Sequence, residues 1–124
     1  MKTFLILMML VISGNFVNAQ SGCYSGNCQD GNGSYRWTSG TNANDQYTGY
    51  WKSGELDGYG KYIWNSGSKY DGFWKSGNQD GYGKFTWASG DRYEGFWKDG
   101  KEDGPGTYYY ASGKTESGTW SAGS

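Results

Sequence analysis

The sequence predicts an all-β fold of tandem β-hairpins, each stacked on the next. Three observations carry that expectation. First, a unit of 23 residues returns in register, as YTGYWKSGELDGYG from Tyr47, YDGFWKSGNQDGYG from Tyr70 and YEGFWKDGKEDGPG from Tyr93. A fixed period in this range marks a repeat array. Second, rings alternate with polar residues and glycines at the period of two that belongs to strands. The glycines inside each segment would cost about 1 kcal/mol apiece in a helix. Third, beyond residue 19 the chain holds one Leu (Leu56), one Ile (Ile63), no Val and no Met. Against these stand seven Trp, twelve Tyr and three Phe (Phe73, Phe85, Phe96). An aliphatic core is excluded, and burial falls to rings that each remove about 150–250 Å² from water.

The elements follow in chain order. Residues 1–19 read as a secretory signal peptide: Lys2, the apolar run Phe4 to Ile12, and the small-residue exit Val17-Asn18-Ala19, with cleavage before Gln20. The nine-residue run is too short to span a bilayer, which takes about 20 residues. The chain is therefore expected to be secreted, or to reside in a periplasm or cell envelope. Loss of Lys2 leaves ten basic against twelve acidic residues, a net charge of −2. Nucleic acid and anionic bilayers call for clustered basic charge, which is missing here.

Residues 20–46 form an N-terminal cap. It contains Cys23 and Cys28, and an even pair in an exported chain favours a disulfide. Ser21-Gly22-Cys23 also matches the end of a lipid-attachment box, so lipidation stays open. Two thiolates with no His anywhere leave a metal site incomplete. Residues 30–40, DGNGSYRWTSG, repeat part of the unit, and a longer loop runs from Thr41 to Gln46.

The full repeats occupy 47–69, 70–92 and 93–115. In each, a first strand is followed by a polar turn and a second strand. Asp57-Gly58, Asp80-Gly81 and Asp103-Gly104 read as turn dipeptides in which each Asp closes its own turn. Ser66-Gly67, Ser89-Gly90 and Ser112-Gly113 mark the second turn. Alternation then assigns faces. Tyr47, Trp51, Trp64, Tyr70, Trp74, Trp87, Tyr93 and Trp97 share one face as a structural ladder of rings. Glycines between them leave room for a ring to lie over bare backbone. Residues 116–124 are a partial C-terminal repeat, with Glu116 where Tyr is expected.

The in-register copies resemble MORN repeats, whose signature is Tyr-x-Gly-x-[Trp/Phe]-x-x-Gly-x-x-x-Gly-x-Gly. The resemblance implies an elongated, twisted, single-layer antiparallel sheet of successive hairpins and a non-catalytic role in scaffolding, protein contact or membrane-lipid recognition. Two departures stand out. No appended domain would lend the repeats an activity, and an exported, slightly acidic chain suits a cytosolic phosphoinositide role poorly. YYYASGKTESGTW, residues 108–120, is also similar to choline-binding repeats, which cage a cation between rings.

Candidate function centres on the opposite face. Tyr50, Phe73 and Phe96 point away from the ladder, one per repeat, and Lys52, Lys75 and Lys98 form a row beside them. Uncovered, these residues make a binding surface. Covered, the rings are a second core, and the lysines are a solvated edge that discourages sheet pairing. No catalytic residue, cofactor or metal is expected. The reading is an exported non-catalytic module for protein binding or scaffolding, with a protein as the foremost partner and a membrane surface or glycan also open. Its alternative is a carbohydrate- or choline-recognising module.

Overall fold

The computed structural model describes residues 22–123, so the expected leader at 1–19 lies outside the described residues. Nine strands follow one another: β1 (Cys23–Gly26), β2 (Gly31–Arg36), β3 (Gln46–Lys52), β4 (Glu55–Ile63), β5 (Lys69–Lys75), β6 (Asn78–Thr86), β7 (Arg92–Lys98), β8 (Lys101–Tyr109) and β9 (Thr115–Trp120). They form one open sheet in the order β1 to β9, each strand antiparallel to the next.

Two columns of turns close the hairpins. In one, β3 passes to β4 through Ser53-Gly54, β5 to β6 through Ser76-Gly77, and β7 to β8 through Asp99-Gly100, with both residues at positive φ. That backbone has the right hand for a two-residue hairpin between twisted strands. In the other column Gly67 donates its N–H to Trp64 O at 2.9 Å, and Gly90 and Gly113 repeat the bond to Trp87 and Tyr110.

The Asp-Gly dipeptides are not turns. Asp57-Gly58, Asp80-Gly81 and Asp103-Gly104 lie inside β4, β6 and β8. Gly49 pairs with Gly60 and Trp51 with Leu56, so β4 spends more residues than β3 between these two pairs. The excess is a bulge, and Gly58 takes a φ of 106° to make it. The Asp carboxylates accordingly do not close their own turns. Asp30 and Asp57 accept the backbone N–H of Ser53 at 3.0 Å and of Ser76 at 3.3 Å, each in the neighbouring hairpin.

Along β3, Tyr47, Gly49 and Trp51 are buried while Thr48, Tyr50 and Lys52 are exposed, and β5 and β7 bury and expose the same positions in their repeats, with Asp71 and Glu94 partly covered where Thr48 is open. Tyr47, Tyr70 and Tyr93 have no exposed surface at all. Each ring lies across a glycine of the adjacent strand, and a Cβ on Gly60, Gly83 or Gly106 would run into it. The phenol then donates to the carbonyl of Tyr50 at 3.0 Å, Phe73 at 3.1 Å and Phe96 at 3.4 Å.

Tryptophans join the repeats. Trp51, Trp74 and Trp97 donate Nε1–H to the carbonyls of Gly33, Gly60 and Gly83, each in the preceding repeat, at 3.0, 3.2 and 3.3 Å. Their indoles stand edge-on to the tyrosines. Tyr47 is held between Trp51 at 5.1 Å and Trp74 at 5.7 Å. Tyr70 sits likewise between Trp74 and Trp97, and Tyr93 between Trp97 and Trp120. Such ring pairs add about 0.5–1.5 kcal/mol beyond the area they bury. Leu56 joins this cluster as its one buried aliphatic side chain among the described residues.

Candidate binding face

The pleat that buries the tyrosines turns the intervening residues outward. Tyr50, Phe73 and Phe96 are 51%, 48% and 44% exposed. Two rings that the sequence reading omitted stand with them, Tyr59 and Tyr82, each half exposed. Register explains the grouping. Tyr59 pairs with Phe73 and Tyr82 with Phe96, with ring centroids 5.5 and 5.6 Å apart and edge-to-face. Parity was the available signal, because Tyr59 lies two residues before the outward Lys61. The Asp-Gly-Tyr-Gly run, read as a turn, concealed it.

A polar row crosses the strands beside these rings. Ser34 pairs with Thr48, Thr48 with Lys61, Lys61 with Asp71, and Asp71 with Lys84. Lys84 then pairs with Glu94, Glu94 with Thr107 and Thr107 with Ser117. At the centre of the face Tyr59, Phe73, Tyr82, Asp71, Lys84 and Glu94 border an open depression of about 490 Å³. Lys52, Lys75 and Lys98 are exposed at the ends of their strands, next to the tight turns. Among the described residues the single ion pair is Arg92–Glu94 at 2.6 Å.

The family model for the MORN repeat matches residues 21–42, 47–69, 70–92 and 93–115. The chain belongs to the MORN-repeat family. No curated protein matches it. MORN repeats are non-catalytic modules that bind proteins or membranes. The match at 21–42 makes the cysteine segment part of a MORN unit, where the sequence alone suggested a partial copy from residue 30. Its first strand is β1, paired with β2 through Cys23 and Tyr35. Cys23 and Cys28 are bonded to each other in a disulfide, which takes both thiols.

The MORN signature now has a physical reading. Its Tyr is the ring laid over the neighbouring strand, its Gly-x-Gly the bulge and the bare backbone beneath that ring, and its Trp the link to the preceding unit. Trp64 and Trp87 do something else. They are half-buried, and with Trp37, Tyr62, Phe85 and Tyr108 they form a continuous stripe along the inner face. Trp64 lies 4.4 Å from Tyr62 and 5.1 Å from Phe85, and Trp87 4.5 Å from Phe85 and 5.9 Å from Tyr108.

Electrostatics on the inner side favour neutral rings. Burial pushes the phenols of Tyr47, Tyr62, Tyr70, Tyr93 and Tyr108 above the ordinary tyrosine range. For Tyr62 the buried Asp45 adds to the shift, because it accepts the phenol proton at 2.7 Å and holds its own negative charge nearby. Tyr108 donates to Glu102 with the same effect.

Proposed function

We propose that this MORN chain is an exported, non-catalytic binding module that docks a protein on its outer face. Tyr50, Tyr59, Phe73, Tyr82 and Phe96 supply the apolar contact, and Lys52, Lys75 and Lys98 the charged edge. One observation carries the reading. Tyr47, Tyr70, Tyr93, Trp51, Trp74 and Trp97 are buried on the inner side, whereas these five rings stand about half exposed on the outer face, with Tyr59 against Phe73 and Tyr82 against Phe96. Contiguous exposed apolar surface marks interaction sites, and tyrosine is prominent among interface hot spots. Export rests on the leader pattern of residues 1–19 and on the cysteine pair.

The test is a triple replacement of Tyr50, Phe73 and Phe96 by Ser. Immobilised chain is incubated with the medium and envelope of the exporting cell, and bound proteins are identified by mass. The expected result is loss of one reproducible protein partner with an unchanged circular dichroism spectrum. Equal capture by the variant removes the face from the function, and loss of the spectrum identifies the rings as core. Binding to vesicles instead of protein overturns the choice of partner.

A second reading rests on the half-exposed inner stripe through Trp64 and Trp87, which has the form of a sugar-stacking surface. Titration of tryptophan fluorescence with glycans and with choline decides it. No response at millimolar ligand discards it.

A further inference from the structure

The polar row on the outer face is complementary to its own reverse. Read from β4 to β7 it runs Lys61, Asp71, Lys84, Glu94. A two-fold axis lying along the strands, between β5 and β6, sets Lys61 of one copy opposite Glu94 of a second, and Asp71 opposite Lys84. Each pair occurs twice. Beyond the charges the row ends in hydroxyls on both sides, Ser34 and Thr48 at one end and Thr107 and Ser117 at the other. The ring row obeys the same operation. Tyr59 meets Phe96, Phe73 meets Tyr82, and Tyr50 meets Pro105, because these residues occupy mirrored strands. Isologous interfaces require this kind of self-complementarity.

We propose that the outer face docks a second copy of this chain, forming a face-to-face two-fold dimer. This rests on the reading of that face as a protein-docking surface and names the protein. Two further observations favour it. Lys61, Asp71 and Lys84 are cross-strand neighbours, yet none of them makes an ion pair within its own copy, while the fourth member of the row, Glu94, is paired with Arg92 of its own strand and keeps a second carboxylate oxygen for a partner. Their charges are available across an interface. The chain also carries a net charge of only −1, or −2 without its first 19 residues, so little overall repulsion opposes association. Sheets stack about 10 Å apart with strands near −30°. Strand spacing and length give the face from β3 to β8 about 700 Å² per copy, close to the roughly 800 Å² per partner of a standard interface. A reversible dimer follows.

Sedimentation of the purified chain from nanomolar to hundreds of micromolar provides the test. Monomer and dimer in a concentration-dependent equilibrium are expected. Asp71→Lys with Glu94→Lys makes the row wholly basic, and Lys61→Glu with Lys84→Glu makes it wholly acidic. Each variant alone should associate more weakly by about tenfold or more, since like charges then face each other. An equimolar mixture should restore a one-to-one dimer. The substitutions are at the surface, and circular dichroism checks that each variant is folded. Wild-type chain that stays monomeric throughout overturns the proposal. So do variants that dimerise like wild type, which would place the contact elsewhere, and a mixture that fails to reassociate. A monomeric wild type whose ring-to-Ser variant still loses a different protein leaves the docking face standing, whereas equal capture by both sinks that reading as well.

Discussion

Replacing Gly83 by Ala puts the stacking of one repeat on the next to a quantitative test. A methyl built on Gly83 falls 2.5 Å from Cε1 of Tyr70 and closer still to its Oη and Cζ, whereas carbon contacts settle at about 3.5–4.0 Å. The ring cannot slide aside, because Trp74 and Trp97 stand edge-on to it at 5.1 and 5.3 Å. Expelling it exposes a side chain that is now fully buried. At about 25 cal/mol per Å² over 150–250 Å² that alone costs about 4–6 kcal/mol. Partial relaxation of an overpacked site typically costs about 1–3 kcal/mol. We expect a destabilisation of about 3–5 kcal/mol, read from urea unfolding followed by tryptophan fluorescence. The mechanism is isolated by a double-mutant cycle. In a Tyr70→Ala background the added methyl has no ring to strike, and Gly83→Ala should then cost less than about 1 kcal/mol, the range of a neutral backbone change. A cost below that in the parent chain, or an undiminished cost without Tyr70, refutes the account of the ring lying on bare backbone.

Three other outcomes follow from the same contacts. Asp45→Ala removes the acceptor of the buried Tyr62 hydroxyl and of the Asn65 N–H, both at 2.7 Å, and should cost about 2–3 kcal/mol in thermal melts, while Asp57→Ala, whose partner Ser76 N–H lies at an exposed turn, should cost no more than about 1 kcal/mol. Reducing Cys23–Cys28 frees a short loop worth about 2 kcal/mol; because the bridge lies at the end of the array, amide exchange should rise in β1 and β2 and stay protected from β4 to β7. The phenols of Tyr47, Tyr70 and Tyr93 are raised above their unfolded value near 10, so their contribution is complete below about pH 10 and is lost as pH climbs toward the folded values; unfolding free energy should fall above pH 10 by up to about 1.4 kcal/mol per pH unit for each of them, and a flat profile there would contradict their burial.

Much of this molecule is visible before any coordinates. The two-residue alternation from Tyr47 to Lys52 sorts the faces of β3, and its repetition sorts β5 and β7. Composition alone points to a core of rings. The bulge escapes such reading because Asp-Gly serves both hairpin turns and bulges with positive φ, and the true turn hides behind Ser53, a residue seldom found at φ 49°. Once Asp57-Gly58 is taken for a turn, Tyr59 drops out of the outer face, and Tyr82 with it. The link from Asp57 to Ser76 is invisible for another reason: it depends on which strands lie side by side, a property of register rather than of local residue type. The complementarity of Lys61, Asp71, Lys84 and Glu94 is likewise legible only once four strands are aligned.

Because each deeply buried phenol is shared between the indole of its own unit and that of the next, the segment from Tyr93 onward could not finish itself. Trp120 supplies that second indole from β9, a strand that has Glu116 in place of a tyrosine. Length is thereby decoupled from closure. Excising residues 70–92, or inserting a second copy of them, leaves both terminal arrangements as they are and changes only how many identical joints lie between. A ruler of adjustable extent, with a disulfide in its first unit and Trp120 against its last buried phenol, is what this architecture offers to evolution and to engineering alike.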